Sequence, residues 1–360
     1  MGKLAGLAAA GVLASAGAAH AATLEIQNAA LRVVVIPEAR ADVSVTVVHA
    51  NPRLPLKIST GPFGEAIVDG GLGYGWFWQR PVTCGPAGPG GWMHVWGVGR
   101  VAYEDLPQVV ARVPLDAQVR STAAVFGAIA PANNLDLDNA SCGEWVVDNV
   151  RDRLSVRNSG SGRVRAGEAG EMALATSGSG SILTRAAVRG LDARVSGSGG
   201  VRVEQASGPV QARVSGSGGI EIDGGAATEL EARASGSGGI VFKGVAQDVK
   251  SDLSGSGKMS VGGVTNSLGV GISGNGGVAV GQLSGTVRAR ISGSGSLRIA
   301  QGHASDLDAR ITGSGGVVFD GVADALQART SGSGGVRVGR VLGAMDTGSS
   351  GSGRIVVAGR

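Results

Sequence analysis

Arginines form a column near the end of six units of a repeated sequence, and Asp252 and Gly271 interrupt it in two units. Arg290, Arg310 and Arg329 follow one another at intervals of 20 and 19 residues, each directly before the last residue of a predicted strand. Strand alternation directs such side chains outward, and guanidinium groups suit sulfate, phosphate and carboxylate. The column therefore predicts a binding face for a polyanion such as an acidic polysaccharide, and lipopolysaccharide or another component of the cell envelope is the alternative partner. Earlier units place Arg194, Arg213 and Arg233 at the same position.

The alternative for this column is a solvated face of salt bridges between neighbouring units. Acidic residues stand two positions before several of the arginines, and they partly neutralise the column. Arginines stacked in a ladder repel one another, so their presence requires either these acids or an anionic ligand. The acids in question include Asp192, Glu231 and Asp308.

Aromatic residues form the second candidate site. Eight of the chain's twelve aromatics lie between positions 63 and 103, and Trp76, Trp78, Trp92 and Trp96 are among them. Flat ring faces favour a ligand or carbohydrate platform. A hydrophobic lid over the open end of the repeat array is the alternative, since such an end exposes unpaired strand edges. The Gly/Pro-rich run at 85–91 predicts an irregular insertion without strands.

The chain contains two cysteines, Cys84 and Cys142. An even number in an exported protein predicts one disulfide, and two unpaired thiols are the alternative. Beyond the N-terminal leader, histidine occurs only at His49, His94 and His303, and neither CxxC nor HExxH is present. The sequence therefore predicts no metal site.

Signals for catalysis are weak. A nucleophilic serine would be singular and close to a base, whereas the serines here are repeated along the chain. The glycine-rich segments match neither dinucleotide-binding nor P-loop spacing, so we expect no enzyme activity and no cofactor. A carbohydrate-active β-helix enzyme is the competing hypothesis, because such enzymes use paired carboxylates. Asp136 and Asp138 lie at alternating strand positions and are the candidate pair, with a solvated strand edge as the alternative.

The elements that position these residues belong to an internal repeat. The tetrapeptide SGSG, or a one-residue variant, occurs eleven times at intervals of 18 to 20 residues. A flexible linker would not carry patterned apolar residues between its copies, but this chain does. The copies start at Ser159, Ser177, Ser196, Ser215, Ser235, Ser254, Ser273, Ser292, Thr312, Ser331 and Ser350.

One unit, residues 196–214, shows how the repeat folds. After SGSG, Val201 and Val203 alternate with polar residues, and after a turn Val210, Ala212 and Val214 do the same. A single unit cannot bury this apolar side, but stacked units can. The pattern predicts an all-β fold, a right-handed parallel β-helix with coils of about 19 residues. Small inward residues agree with the 65 glycines and the 3% aromatic content.

Composition limits the remaining classes. Hydrophobic residues make up 42% of the chain, which is too many for a disordered protein. The G-X-Y period of collagen is absent from the sequence. The net charge of +4 does not by itself identify an anionic partner, and we expect no nucleic-acid binding. The last strand, from Arg354 to Val357, has no polar cap after it, so end-to-end self-association is expected.

The N-terminus predicts export. Lys3 precedes an alanine-rich apolar run, and Ala19-His20-Ala21 forms a small-x-small cleavage site. We therefore divide the chain into a signal peptide at 1–21, strands that start or cap the solenoid at 22–68, a Gly/Pro/aromatic-rich insertion at 69–107, and the solenoid at 108–360. No later stretch is long enough to cross a membrane. The expected location is the periplasm or the outer cell surface.

The SGSG corner, the strand-turn-strand unit of about 19 residues and the signal peptide resemble the head GIN domain family of bacterial exported proteins, described as autotransporter adhesins. The resemblance implies a right-handed parallel β-helix in the cell envelope and carries over no catalytic residue. The leading hypothesis is a non-enzymatic structural or adhesin-like surface module. A carbohydrate-active enzyme and a periplasmic sensing module that uses the aromatic insertion are the alternatives.

Overall fold

The structure is a computed structural model that describes residues 22–61, 65–72 and 82–359. Within these ranges the chain is all-β and forms a β-solenoid of about 13 turns with ~19-residue spacing, which confirms the predicted fold class. The signal peptide predicted at 1–21 lies outside the described residues. No helix in the described ranges is long and apolar enough to cross a membrane.

Parallel pairing between neighbouring coils builds the solenoid. Val203 pairs with Ile222, and Ile222 pairs with Phe242 in the next coil. All three side chains are fully buried, and burial of such a side chain contributes about 1.5–3 kcal/mol. The unit from 200 to 214, expected as two strands and a turn, is one strand that bends at Gly208, whose φ is 78°.

The strands of the regular array lie between residues 108 and 359. They are β8 (Gln108–Pro114), β9 (Asp116–Ile129), β10 (Ala132–Ser141), β11 (Glu144–Val147), β12 (Val150–Asn158), β13 (Arg163–Thr176), β14 (Ser181–Val195), β15 (Gly200–Val214), β16 (Gly219–Ile222), β17 (Gly225–Ala234), β18 (Gly239–Leu253), β19 (Lys258–Ile272), β20 (Gly277–Ile291), β21 (Ser296–Gly313), β22 (Gly316–Ala323), β23 (Leu326–Gly332), β24 (Gly335–Val341), β25 (Met345–Ser350) and β26 (Ile355–Gly359).

The SGSG corners stack so closely that their second glycine has no room for a side chain. A Cβ at Gly218 would lie 1.8 Å from the carbonyl oxygen of Gly199, the matching residue of the preceding coil. At Gly238 the corresponding distance to the oxygen of Gly218 is also 1.8 Å. Glycine at this position therefore follows from the stacking of coil on coil, and not from a positive φ.

At the N-terminal end of the stack, the spatial order of the strands differs from their order along the chain. Its strands are β1 (Thr23–Glu38), β2 (Ser44–His49), β3 (Lys57–Thr60) and β4 (Ala66–Asp69). The first strand, β1, pairs in parallel with β4 and β8 on one side and with β9 on the other. Outside this layer, β2 runs antiparallel to β8 and β3 antiparallel to β4. Two antiparallel strands thus cover this end of the solenoid.

The described part of the aromatic-rich insertion is a small sheet, which corrects the expectation of irregular structure. Its strands β5 (Val82–Cys84), β6 (Trp92–Val95) and β7 (Gly99–Ala102) pair in antiparallel order. Gly97 and Gly99 have φ of 82° and 90° and allow the tight turn between β6 and β7. The glycines and prolines of this segment predicted irregular structure, but the short alternation of buried and exposed residues in β6 and β7 is typical of strands.

This lobe packs against the side of the solenoid. Buried Met93, Val95 and Val101 share a second core with Ala124 and Phe126 of β9. The described lobe residues therefore do not form the lid over the solenoid end that was considered from the sequence, since β2 and β3 are the outermost strands there. A disulfide joins Cys84 of β5 to Cys142 at a coil corner, with Cα atoms 5.7 Å apart.

Candidate functional site

A long open groove of about 1280 Å³ follows one face of the solenoid. It extends from Glu25 in β1 to Thr312 at the end of β21, so it crosses most of the coils in the described structure. One side carries the outward residues of the strands, and the other carries the first serine of each corner. The serines that line it are Ser159, Ser177, Ser196, Ser215, Ser235, Ser254, Ser273 and Ser292.

Local sequence explains how each coil contributes to the groove. Arg213 is the penultimate residue of β15 and points outward, Val214 turns inward into the core, and Ser215 is exposed at the bend that follows. The chain changes direction between the arginine and the serine, and this change makes a concave corner. Because neighbouring coils pair in register, each corner repeats about 4.8 Å along the rod.

The register places the predicted arginines in one column. Arg194, Arg213 and Arg233 pair directly in successive coils, and Arg290 pairs with Arg310. The groove lining ends near Arg310, so Arg329 continues the column one coil beyond it. As expected from the sequence, Asp252 and Gly271 interrupt the column.

Two arginines that the sequence analysis missed extend the column toward the N-terminus. Arg120 and Arg157 line the same groove. The signal that could have found them is their place directly before Ser121 and Asn158, buried polar residues that occupy the last inward position before a corner.

Carboxylates of the same and neighbouring coils pair with most of this column. Arg157 lies 2.9 Å from Asp138 and 3.1 Å from Asp136. The hydrogen bond to Asp138 and the charge of Asp136 raise the pKa of Arg157 above its usual value. The two aspartates considered for catalysis thus contact one guanidinium group, and this contact fits a salt bridge better than an acid/base pair.

The middle of the column is a continuous chain of ion pairs. Arg194 lies 2.5 Å from Asp192, which is also 3.6 Å from Arg213. Arg213 lies 3.4 Å from Glu231. Glu231 also pairs with Arg233, whose Nε is 3.8 Å from Asp252. The salt-bridge ladder considered from the sequence is therefore present here.

The three arginines singled out from the sequence differ from one another. Arg310 lies 3.2 Å from Asp308, and Arg329 lies 2.6 Å from Asp346. The hydrogen bond from Arg329 lowers the pKa of Asp346. Arg290 has no carboxylate within ion-pair distance among the described residues, although it is exposed in the groove.

Trp92 and Trp96, the two lobe tryptophans in the described residues, do not line this groove. Trp92 lies under the guanidinium of Arg100, which is 4.6 Å from the ring centroid. Trp96 is 52% exposed at the turn between β6 and β7. Both belong to the lobe and not to the groove lining. Trp76 and Trp78 lie outside the described residues.

The groove presents hydroxyl groups at most of its corners and guanidinium groups in seven of its coils. Among its described lining residues there is no histidine to activate a serine. In the described ranges, no group of three or more His, Cys, Asp or Glu side chains is placed to hold a metal ion. The chemistry that this arrangement offers is repeated hydrogen bonding and ion pairing with an extended ligand.

Comparison with known proteins gives one match. A family model described as "Putative auto-transporter adhesin, head GIN domain" matches residues 108–226 and 216–321. These two matches cover more than half of the chain, including β8 to β21 and all of the groove lining except Glu25 and Ile26. No curated protein and no solved structure matches the chain.

Proposed function

The chain belongs to the head GIN domain family of auto-transporter adhesins, and we propose that it is a non-enzymatic, exported surface module that holds an extended acidic polysaccharide in its groove. The family and the solenoid fold support a surface or adhesin-like module. The ligand class is inferred from the groove, which crosses most of the described coils and is lined by corner serines and by arginines.

The shape of the groove suits a linear polymer. The coil repeat of about 4.8 Å is close to the length of one sugar unit in an extended chain, so successive sugars can meet equivalent groups. Corner hydroxyls such as that of Ser235 can hydrogen-bond to sugar hydroxyls on one side of the groove. Because a polymer contacts many coils at once, weak contacts at each coil add up to stable attachment.

The charge of the groove favours an anionic polymer. Seven arginines line it against three carboxylates, those of Glu25, Asp138 and Asp252. Carboxylates just outside the lining pair with several of these arginines, so the excess is moderate. Exposed charges of this kind are screened over about 8–10 Å at physiological salt, and binding should weaken as salt is added.

Two serines of one corner provide a matched test. Ser235 lines the groove, whereas Ser237, two residues later and also exposed, lines a separate shallow depression on the other side of the corner. We expect Ser235→Trp to obstruct the groove and to lower affinity for polygalacturonate by about tenfold or more, since the polymer loses contacts at several coils. Ser237→Trp should bind as the wild type does.

The measurement is retardation of the purified chain in gels that contain polygalacturonate, with neutral dextran as the uncharged comparison. Circular dichroism and thermal unfolding establish that both variants are folded. Equal retardation of the wild type and Ser235→Trp would overturn the groove as the binding site. Absence of any retardation of the wild type by polygalacturonate would overturn the ligand class.

Export and surface display can be tested in cells. Protease added to intact cells should degrade the chain if it is displayed on the surface, because the solenoid would then be outside the outer membrane. Degradation only after lysis would place the chain inside the cell envelope and contradict surface display. A periplasmic protein of known location serves as the control for leakage.

A further inference from the structure

A notch one coil wide interrupts the charged column on β19. The two outward positions of this strand that follow the column are Gly269 and Gly271. In the preceding coil the paired residues are Lys250 and Asp252. In the following coil, Arg288 pairs with Gly269 and Arg290 pairs with Gly271. The notch therefore lies between long charged side chains on both sides.

The glycines leave space that other residues would occupy. A Cβ at Gly269 would have its nearest neighbour, the carbonyl oxygen of Val249, at 3.7 Å, which is ordinary contact. At Gly271 the nearest atom is Oδ1 of Asp252 at 2.9 Å, so the aspartate lies over this half of the notch. The open half is next to Gly269, between Lys250 and Arg288.

The charges around the notch are not balanced. Three cations face it, Lys250, Arg288 and Arg290, and all are exposed. Among the described residues, neither Lys250 nor Arg290 lies within ion-pair distance of a carboxylate, whereas the other groove-lining arginines do. Arg288 is 3.8 Å from Asp308, but Asp308 lies closer to Arg310, at 3.2 Å.

Asp252, the carboxylate at the notch, is oriented in part toward another partner. Its Oδ2 lies 3.8 Å from Nε of Arg233 in the preceding coil. Of the three cations at the notch, only Arg288 has a carboxylate within ion-pair distance among the described residues, whereas each arginine in the middle of the column has at least one. Lys250 and Arg288 lie two coils apart, about 10 Å along the rod, so an anion bound between them could interact with both.

We propose that the notch is an anion subsite of the groove, in which one carboxylate or sulfate of the bound polymer lies between Lys250 and the pair Arg288 and Arg290. The proposal rests on the proposed function, because the polymer in the groove supplies the anion. Arg288 and Arg290 project from the same face of β20, about 7 Å apart along the strand. This spacing allows both guanidinium groups to donate to one oxyanion.

The subsite gives the polymer a fixed register on the rod. Coils with paired arginines offer equivalent, partly neutralised positions along which a uniform chain could slide. The notch differs from them because two of its three cations, Lys250 and Arg290, have no carboxylate within ion-pair distance among the described residues, so an anionic group placed there is held more strongly. Ser273 and Ser292 line the groove beside it and supply hydroxyls to the sugar that carries the anion.

The first test compares two double substitutions that remove the same charge from the groove. Arg288→Gln with Arg290→Gln removes cations at the notch, and Arg213→Gln with Arg233→Gln removes two arginines that are paired with carboxylates. We expect the first pair to weaken polygalacturonate binding about tenfold or more, as loss of charge-assisted hydrogen bonds does. The second pair should weaken it by a smaller factor.

The second test fills the notch with a carboxylate. Gly269→Asp places an anion between Lys250 and Arg288, at a position with room for the side chain. We expect this variant to lose polymer affinity and to unfold at a higher temperature than the wild type, because it supplies the missing ion pair. A misfolded variant would instead unfold at a lower temperature.

The outcomes separate the two proposals. If the Arg288/Arg290 double variant binds as tightly as the Arg213/Arg233 variant while Ser235→Trp still prevents binding, the subsite is wrong and the groove stands. If Ser235→Trp has no effect either, the groove proposal fails as well. Dextran sulfate in place of polygalacturonate distinguishes a sulfate-selective notch from a carboxylate-selective one, since only the preferred polymer should respond to the notch substitutions.

Discussion

Replacing one corner glycine should destabilise the solenoid strongly. In Gly218→Ala the new Cβ would lie 1.8 Å from the oxygen of Gly199, whereas carbon and oxygen normally approach to about 3.3–3.6 Å. The two coils would have to separate by about 1.5 Å, and this would stretch bonds such as that from Gly218 N to Gly197 O, now 3.1 Å. Overpacking costs about 1–3 kcal/mol, and two or three weakened backbone bonds add about 1 kcal/mol each.

The expected loss for Gly218→Ala is therefore about 3–6 kcal/mol in the free energy of unfolding. Urea denaturation followed by circular dichroism measures it. Gly269→Ala is the matched control, because its Cβ has 3.7 Å of space in a regular strand and should change stability by less than about 1 kcal/mol. A loss below about 1 kcal/mol for Gly218→Ala would refute the explanation of the corner by close stacking.

Two further predictions concern the lobe and the exposed ion pairs. The Cys84–Cys142 disulfide closes a separation of 58 residues, so its reduction should lower the free energy of unfolding by about 4 kcal/mol in the chain-entropy picture. Thiol titration of the unreduced chain should find no free thiol. Two free thiols would contradict the bond. The hydrogen bond from Lys243 lowers the pKa of Asp223, so its contribution is present above the unfolded pKa and disappears as pH falls through the folded one. Asp223→Asn should therefore be less stable than the wild type at pH 7 and equal to it in strong acid, and a difference that persists in acid would contradict this cause.

The arrangement of the arginine column was predictable because it follows from spacing alone. Once SGSG marks the corners, strand alternation determines which residues face outward, and parallel pairing brings the same position of each coil together. Arg290 and Arg310 are neighbours for this reason. The partner of each arginine was not predictable in the same way, because a guanidinium can reach carboxylates in its own coil or in either neighbouring coil. Only the side-chain arrangement separates Arg290, which is unpaired in the described part of the chain, from Arg310, which is paired.

The sequence repeat does not predict the structure of the lobe or of the N-terminal end. Residues 82–102 have no second copy, so their pairing depends on contacts with β9 that are remote in sequence. The signal peptide and a binding role for Trp76 and Trp78 remain predictions, because these residues lie outside the described ranges. The same holds for the polyanion, which depends on binding experiments.

The repeated sequence specifies the solenoid, the position of its corners and the column of outward arginines, because a short period repeated eleven times sets local structure and register together. Three features depend on the folded chain: the insertion of β1 between β8 and β9, the packing of the lobe against the side of the rod, and the unpaired cations at the notch. These features depend on contacts between segments that do not repeat, or on a choice between neighbouring partners at similar distances. Periodicity carries no information about either.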